Sequence, residues 1–505
     1  MSELFRSFIV IFVLSWVTFG VIKYSLPPFL PEREFRKWRF LWLAVLFAAF
    51  VAHSIWVLIG IVTVLCFILV PPKPKDRVIY YLLLVCALPQ FTVEIPGFAG
   101  IRYIFTLSYT RFLALILLFG IVMKSPPKRL FSFKSDKYVV LYVLLLCYLT
   151  FRDNTFTNGL RESLMKVMDI FVPYFVLSRY LDSKDQLNKA IIALLICMAP
   201  FALIGTFEFL KHWHIYNALK HTSLSGKINL YDTREGALRA SAIFASPIVL
   251  GYVMVIGFGL LLYLQPLIAN QRYVKMSGFA LLAALLATMA RGPWVGFVCL
   301  CFAYMWTGRG GIKKIILWTA SGAALLPLLS LTPVGDKFVQ LLPFIGNSAS
   351  GTIDYRRRLL EQAWIVFKRH PLLGSTTFLD TPEMESMRQG QGIIDLVNTF
   401  VAIVLPYGIV GLGLFGAIFL GLLSRCYFIL KRIPASEIDL LRMGRLFFAI
   451  LSSILLMIST VSPIDYISVF YWTFAGIIAA YLHVAENTIK EHRANLNLST
   501  IHINS

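Results

Sequence analysis

Long apolar runs alternate with short polar connections along almost the whole chain. The runs are Phe8–Ile22, Leu41–Val70, Val78–Gln90, Ile104–Met123, Tyr138–Leu149, Leu164–Leu177, Ile191–Phe209, Ser241–Leu264, Met276–Met289, Trp294–Trp306, Ile315–Leu331, Ile393–Leu423, Leu446–Ile458 and Ile467–Leu482. Several approach the ~20 residues that cross ~30 Å of hydrocarbon as a helix. Inside lipid the backbone must satisfy its own hydrogen bonds, which favours helices over isolated strands. The pattern therefore predicts an all-α polytopic integral membrane protein with about fourteen transmembrane helices. Leu41–Val70 is long for one span and short for two. The polar pair His53-Ser54 offers a place for a tight hairpin, which would add one span and move the N-terminus to the other side.

The connections carry the sidedness. Lys73, Lys75 and Arg77 lie in one, and Lys124, Lys128, Arg129, Lys134 and Lys137 in another. Lys184 with Lys189, Arg272 with Lys275, Arg309 with Lys313 and Lys314, and the group from Arg425 to Arg445 fill four more. With the runs above, all six alternate onto one face, and the basic tail after His483 joins it. An excess of Lys and Arg marks the cytoplasmic face. The opposite face receives the long segment Pro333–Gly392, with its Gly/Ser/Thr stretch Gly346–Thr352 and helix-like Tyr355–Lys368. A loop of about 60 residues far exceeds ordinary connections and points to function. The expected organisation is N-terminal membrane helices over residues 1–332, a large periplasmic loop over 333–392, C-terminal membrane helices over 393–484 and a cytoplasmic tail over 485–505.

Composition agrees with this. Hydrophobic residues make up 58% and charged residues 14% of the chain, against about 25% charged in soluble proteins. The net charge of +21 does not read as a nucleic-acid surface, because the bases sit in short connections. The seven cysteines fall in or beside apolar runs without metal-ligand spacing and read as small buried side chains. Phe8–Ile22 is followed by no small-residue cleavage site before Pro27-Pro28, so it reads as a retained span or anchor.

Candidate chemistry gathers on the face that charge logic should leave poor in arginine. Arg239 closes a connection ahead of Pro247. Arg291 sits in the tight turn Ala290-Arg-Gly-Pro-Trp294, and Arg356, Arg357 and Arg358 open the helix of the large loop. Guanidinium is always charged and matches phosphate oxygens bidentately, so these residues fit an anionic, lipid-linked group. Arg152 and Arg161 border a run similarly but read more as interface anchors. Glu361 follows Arg357 and Arg358 at helical spacing, where an ion pair is the plain account. His370 meets a helix end, and Asp354, Asp380, Glu383 and Asp395 are further acids or bases. There is no P-loop, no G-x-S-x-G and no paired aspartates suited to Mg²⁺.

Four segments resemble the O-antigen polymerase/ligase superfamily of membrane glycosyltransferases. Arg239-Ala-Ser-Ala-Ile-Phe with Pro247 and Gly251 is similar to its R-x-x-G-x-F segment, and Ala290-Arg291-Gly292 to its S-R-G turn. Arg358 to Trp364 with His370-Pro-Leu-Leu-Gly374 resembles the R…W…P-L-L-G stretch of its periplasmic loop. Asn398-Thr-Phe400 with Tyr407-Gly-Ile-Val-Gly-Leu412 resembles the H-N-x-L…E-x-G-I-x-G-L segment. The family's histidine falls on Val397, which cannot move a proton, and this weighs against a ligase and toward a polymerase.

The resemblance implies a bacterial inner-membrane enzyme, with its site facing the periplasm, that uses undecaprenyl-diphosphate-linked glycans without metal or cofactor. A hydroxyl of one lipid-linked repeat would attack the anomeric carbon of another. Arg239 and Arg291, helped by one of Arg356, Arg357 and Arg358, would stabilise the departing diphosphate. Asp395 or Glu361 would replace the histidine as base, and His370 and Asn398 would contact substrate. Partners would be the lipid-linked oligosaccharide, membrane lipids, and a chain-length regulator and flippase of the same pathway. A ligase or oligosaccharyltransferase, a polysaccharide transporter and a non-catalytic subunit remain the alternatives.

Overall fold

Polar residues placed just ahead of the apolar runs start the helices. Ser2, Ser54, Ser183 and Asn398 each accept a hydrogen bond from a backbone N–H in the following first turn, which satisfies a donor that the helix cannot. The structure, a computed structural model, describes residues 2–25, 30–97, 102–124, 131–152, 154–222, 233–234, 236–308, 310–332, 350–389, 392–463 and 465–503.

Helices α1 (Glu3–Tyr24), α2 (Glu32–Val51), α3 (Ile55–Leu69) and α4 (Pro74–Leu84) come first. A hairpin of β1 (Thr92–Pro96) and β2 (Tyr103–Ser108) follows, then α5 (Tyr109–Leu113) and α6 (Gly120–Lys124), joined by a π-helical turn. Next are α7 (Asp136–Thr150), α8 (Phe156–Lys166), a second π turn, α9 (Val172–Tyr180), α10 (Lys184–Met198) and α11 (Pro200–Lys211). A two-residue hairpin of β3 (Thr233–Arg234) and β4 (Ala237–Leu238) precedes α12 (Pro247–Leu264), α13 (Gln271–Ala287), α14 (Arg291–Trp306) and α15 (Gly311–Ser330). The large connection contributes α16 (Ser350–Arg369) and α17 (Pro382–Glu385). The chain ends in α18 (Thr399–Leu430), α19 (Ile438–Ile458) and α20 (Asp465–Ile503).

The chain is mostly helical. Among the described residues six helices are long and apolar enough to cross a membrane: Glu3–Tyr24, Lys184–Lys211, Pro247–Leu267, Thr399–Leu430, Ile438–Ile458 and Tyr466–Asn495. The run Leu41–Val70 is divided between α2 and α3, broken at Ala52–Ser54. Three apolar runs begin later as helices than their pattern suggests. Tyr103–Ser108 is a strand, so helix starts only at Tyr109. Pro247, rather than Ser241, opens α12, and Thr399, rather than Ile393, opens α18. Of the large connection, residues 333–349 and 390–391 lie outside the described residues, and with them most of the Gly346–Thr352 stretch. Lys128, Arg129 and Arg309 also lie outside them.

The basic connections converge on one end of the bundle. Lys75 pairs with Asp182 at 2.7 Å, Lys189 with Glu34 at 3.0 Å and Arg425 with Glu486 at 2.8 Å, and Lys184 pairs with Glu437. Beneath them Arg179 and Asp136 form a buried ion pair. Asp136 also accepts from the Tyr174 hydroxyl at 2.7 Å and the Phe133 N–H at 2.8 Å, while the Phe133 and Phe175 rings flank the guanidinium. Removing one partner of such a pair strands the other charge away from water, at a cost of about 3–5 kcal/mol. Arg179→Ala is expected to lower the thermal unfolding midpoint of the detergent-purified protein sharply. The exposed Lys75→Ala should leave it near the unsubstituted value, because exposed pairs contribute about 0–1 kcal/mol.

Candidate functional site

The end of the bundle opposite the basic connections carries β1–β2, β3–β4 and α16. Here the turn from α13 to α14 is fixed from inside. The buried Thr288 hydroxyl donates to Leu285 O at 2.6 Å and accepts from Ala290 N, and the Trp294 indole donates to Leu285 O at 3.0 Å. Two arginines hold the same turn from outside. Arg234 donates to Met289 O at 2.7 Å, and Arg239 Nε donates to Thr288 O at 3.1 Å. Between these contacts Ala240 N donates to Ala287 O at 3.0 Å. Arg291 is the first residue of α14, immediately beyond the clamped turn.

The segment bearing Arg239 is anchored in turn by Glu208 of α11. The fully buried Glu208 carboxylate accepts from the backbone N–H groups of Ser241 (3.1 Å), Ala242 (2.8 Å) and Ile215 (3.1 Å). His214 Nδ1 lies 3.4 Å from the same carboxylate and 3.3 Å from the Ser241 hydroxyl. An acid in this position fixes backbone; it holds Ser241 and Ala242, and so aims Arg239.

A second turn, Thr460–Ser462 between α19 and α20, joins the remaining candidates. Gly292 faces it so closely that a Cβ there would lie 2.5 Å from Thr460 Oγ1. One turn on, a Cβ at Gly296 would meet Met457 at 2.3 Å, and Ser453 donates to Gly296 O at 2.7 Å. This is the small-xxx-small spacing that lets two helix backbones approach. On the other side Arg356 donates to Thr460 O at 3.0 Å. Thr399 donates to Val461 O at 2.9 Å, Val397 N to the Ser462 hydroxyl at 2.9 Å, and the Ser462 hydroxyl to Asp395 Oδ1. Tyr355 donates to Asp395 O at 2.9 Å. Arg356 Nε is buried and has no hydrogen-bond partner among the described residues. Burial lowers the Arg356 pKa, and neighbouring Asp395 opposes that shift.

The large connection is locked onto α18 through backbone. Pro406 and Gly408 break α18, with Gly408 at φ +64°. The segment Pro371–Ser375 lies against the break. Ser375 N donates to Leu405 O at 2.9 Å, Ile409 N to Pro371 O at 2.8 Å and Val410 N to Leu372 O at 3.2 Å. A Cβ at Gly408 would lie 2.1 Å from Leu372 O, and one at Gly374 (φ +66°) would lie 2.3 Å from Leu405 O. Arg152 adds hydrogen bonds to Leu373 O and Gly374 O. Beside this junction is a polar cavity of about 310 Å³, lined by Asn154, Asn158, Glu162, Lys166, Tyr103 and Tyr407 among others.

Backbone strain concentrates in the same region. Five described non-glycine residues have positive φ: His212, Ala242, Ala245, Met289 and Val397. Ala242 and Ala245 follow Arg239, Met289 precedes Arg291, and Val397 follows Asp395. His212 ends α11, next to the Glu208 anchor. Such conformations cost of order 1–3 kcal/mol each and cluster where function holds them. Val397 is the sharpest case, because a β-branched side chain disfavours this region most.

The predicted site residues therefore divide. Arg239, Arg291, Arg356 and Asp395 are joined through two turns. Asn398 caps α18, its Oδ1 accepting from Phe400 N and Val401 N. Arg358, Glu361 and His370 are exposed. Arg357 pairs with Asp354 at 3.2 Å rather than with Glu361. Arg369 makes a two-point ion pair with Glu383 that holds the Glu383 carboxyl below its ordinary pKa. Asp380 lies in a 3-10 turn beside α17. Arg161 is buried and occupied, holding the Tyr103 and Ile104 carbonyls and lying over the Tyr103 ring. Sequence reasoning missed Arg234, Glu208, His214, Ser462 and the polar cavity. Glu208 had a signal: an ionisable residue inside an apolar run is a functional candidate by default.

These features describe a multi-pass helical membrane protein in which several arginines lie between helix ends, beside a connecting segment docked on α18. Residues 276–416 match the family model described as O-antigen ligase, which supports the likeness to the O-antigen polymerase/ligase superfamily. The match covers Arg291, Arg356, Asp395 and the α18 break, and leaves Arg239 upstream of it. A comparison with curated proteins found no match.

The junction gives a direct test. Gly408→Ala places a side chain against Leu372 O in a left-handed conformation. Hydrogen exchange of Ser375, Ile409 and Val410 N–H should accelerate by tenfold or more, at a cost of ~1.4 kcal/mol or above, while exchange within α12 stays as it was.

Proposed function

We propose that the chain is a membrane glycan polymerase that joins lipid-diphosphate-linked oligosaccharide repeats at the periplasmic face. The observation that carries the reading is the Arg356 guanidinium: partly buried, fixed by Thr460 O, with a buried Nε–H that has no partner among the described residues. A buried unsatisfied donor costs about 1–3 kcal/mol, more when charged, and an anionic ligand would remove that cost. The Thr460 turn also meets Gly292, so Arg291 and Arg356 belong to one locus, with Arg239 fixed to the turn before Arg291.

In this reading the donor's diphosphate lies against Arg239, Arg291 and Arg356. A hydroxyl of the acceptor repeat attacks the donor's anomeric carbon. A glycosidic C–O bond forms as the C–O bond to the diphosphate breaks, and the lipid diphosphate leaves with the bonding pair. Pre-placed cations in a water-poor cleft stabilise that growing charge. The hydroxyl proton passes to Asp395, whose Oδ1 is held by Ser462 and the Val397 N–H. Asp395 thus takes the part that the side chain of Val397 cannot play. The polar cavity beside the α18 break offers amides, a carboxylate and tyrosine rings to acceptor sugar. About seven helical residues, roughly 10 Å, separate it from the start of α18.

The ligase reading keeps the support of the family description. Glycan analysis of a deletion strain separates the two. Loss of a polymerase leaves single capped repeats, whereas loss of a ligase leaves polymer on the lipid carrier. Arg291→Ala should abolish long-chain glycan at normal protein level and membrane insertion. Arg291→Lys should restore little of it, because an ammonium lacks the planar fork. Long-chain glycan of normal length from Arg291→Ala would overturn the assignment.

A further inference from the structure

At the basic end of the bundle, far from the arginine-bearing turns, three separate parts of the chain close around one cavity of about 640 Å³. Lys134 enters from just ahead of α7. Arg425 comes from the last turns of α18 and Arg432 from the turn just beyond it, and Glu486, Lys490 and Arg493 from the later half of α20. Arg425, Phe428 and Ile429 on α18, and Glu486, Ile489, Lys490 and Arg493 on α20, recur at the three- and four-residue intervals of a single helix face. The cavity is therefore built by two helix faces turned toward each other, not by one charged loop.

Its charge is unbalanced. Glu486 is committed to Arg425 at 2.8 Å. Lys134, Arg432, Lys490 and Arg493 have no ion-pair partner among the described residues. Four uncompensated cations in one cavity repel one another and attract a multivalent anion. The walls also choose its kind. Ile429 and Ile489 are buried in the lining, and Phe428 lines it while 56% exposed. Leu420, two turns back on α18, is 60% exposed. A largely apolar strip, interrupted only by the small exposed Ser424, thus leads from the cavity along the outside of a helix long and apolar enough to cross a membrane. A free phosphate would have no use for that strip; an acyl chain would.

We propose that this cavity binds the phosphate headgroup of an anionic phospholipid, with the acyl chains lying along α18 past Phe428 and Leu420. Arginine forks and lysine ammoniums engage the phosphate oxygens. The lipid bridges α18 to α20 and the segment before α7, at the opposite end of the bundle from the proposed transfer site. The inference therefore stands or falls independently of that reading.

The test uses the full chain purified in dodecyl maltoside, titrated with phosphatidylglycerol, cardiolipin, phosphatidylcholine or inorganic phosphate. Thermal unfolding and native mass spectrometry of retained lipid are the readouts. Phosphatidylglycerol and cardiolipin should raise the unfolding midpoint and remain bound in the gas phase, and phosphatidylcholine should do neither. The triple substitution Arg432→Gln, Lys490→Gln and Arg493→Gln should weaken the anionic lipids on the order of 100-fold, about fivefold for each cation lost. Lys134→Gln, on a separate element, gives a second variant with a smaller loss in the same direction. Equal lipid binding by the unsubstituted and substituted chains would overturn the proposal. So would an equal effect of phosphatidylcholine, or inorganic phosphate alone displacing the lipid and reproducing its stabilisation.

Discussion

A peptide group taken out of water must find a partner, and the break in α18 makes this demand where the proposed chemistry lies. Pro406 has no N–H to give, and Gly408 turns out of helical geometry. The backbone groups released at that point are met by Pro371–Ser375 through three main-chain hydrogen bonds. In a membrane helix such a break is tolerated only where protein or a polar cavity supplies the missing partners. Here both occur, since the docked segment fills one side and the polar cavity flanks the junction. The large connection is thereby fixed at the C-terminal end of α16, and the direction in which α16 presents Arg356 follows from that fixture. Glycine at 374 and 408 is required because two backbones meet at distances that no side chain permits.

The opposite end of α16 is fixed by a different device. Thr460, Val461 and Ser462 offer two carbonyls and a hydroxyl to Arg356, Thr399 and Val397, and Gly292 presses on the same turn. The α13–α14 turn is held by Arg234 and Arg239 in a similar way. Left-handed backbone at Met289, Ala242 and Val397 shows that these turns are not relaxed. The surrounding hydrogen bonds outweigh a few kcal/mol of strain, which is how a site keeps charged groups in fixed directions.

How much of this the sequence disclosed depends on the kind of interaction. Apolar periodicity marked the long helices, because burial in helix or lipid requires it. It misplaced the start of three of them. Ile104-Phe-Thr-Leu reads as apolar, yet it is half a hairpin, and short apolar runs do not distinguish strand from helix. Arg239 and Arg291 were legible as arginines at the ends of apolar runs, and Arg356 as one opening the helix of the large connection, all on the face that charge logic should leave poor in arginine. The partner of Arg357 was not, because the helix reaches back to Ser350 and so brings Asp354 within one turn. Val397 looked only like a lost histidine. Its left-handed backbone and its hydrogen bond to Ser462, more than sixty positions away, come from tertiary packing that no local pattern encodes.

The ion pairs of the basic end and the clamped turns of the opposite end use cations in different ways. At the basic end several cations meet carboxylates: Arg179 meets Asp136, Arg425 meets Glu486 and Lys184 meets Glu437. Such contacts fix geometry and cancel charge together. At the clamped turns Arg234, Arg239 and Arg356 make hydrogen bonds to the carbonyls of Met289, Thr288 and Thr460, whereas Arg357 and Arg369 of the large connection meet carboxylates. A carbonyl orients a guanidinium without cancelling its charge. Guanidinium, with five donors in a rigid plane, can hold a carbonyl at one edge and still present others to a ligand; an ammonium on a flexible stem does this poorly. Asp395 completes the arrangement, because its Oδ1 is held by Ser462 and Val397 N rather than spent in a close ion pair with Arg356. Cation and carboxylate are thus held apart by the backbone turns between them. The proposed reaction, with a diphosphate leaving and a proton accepted in one place, needs that separation.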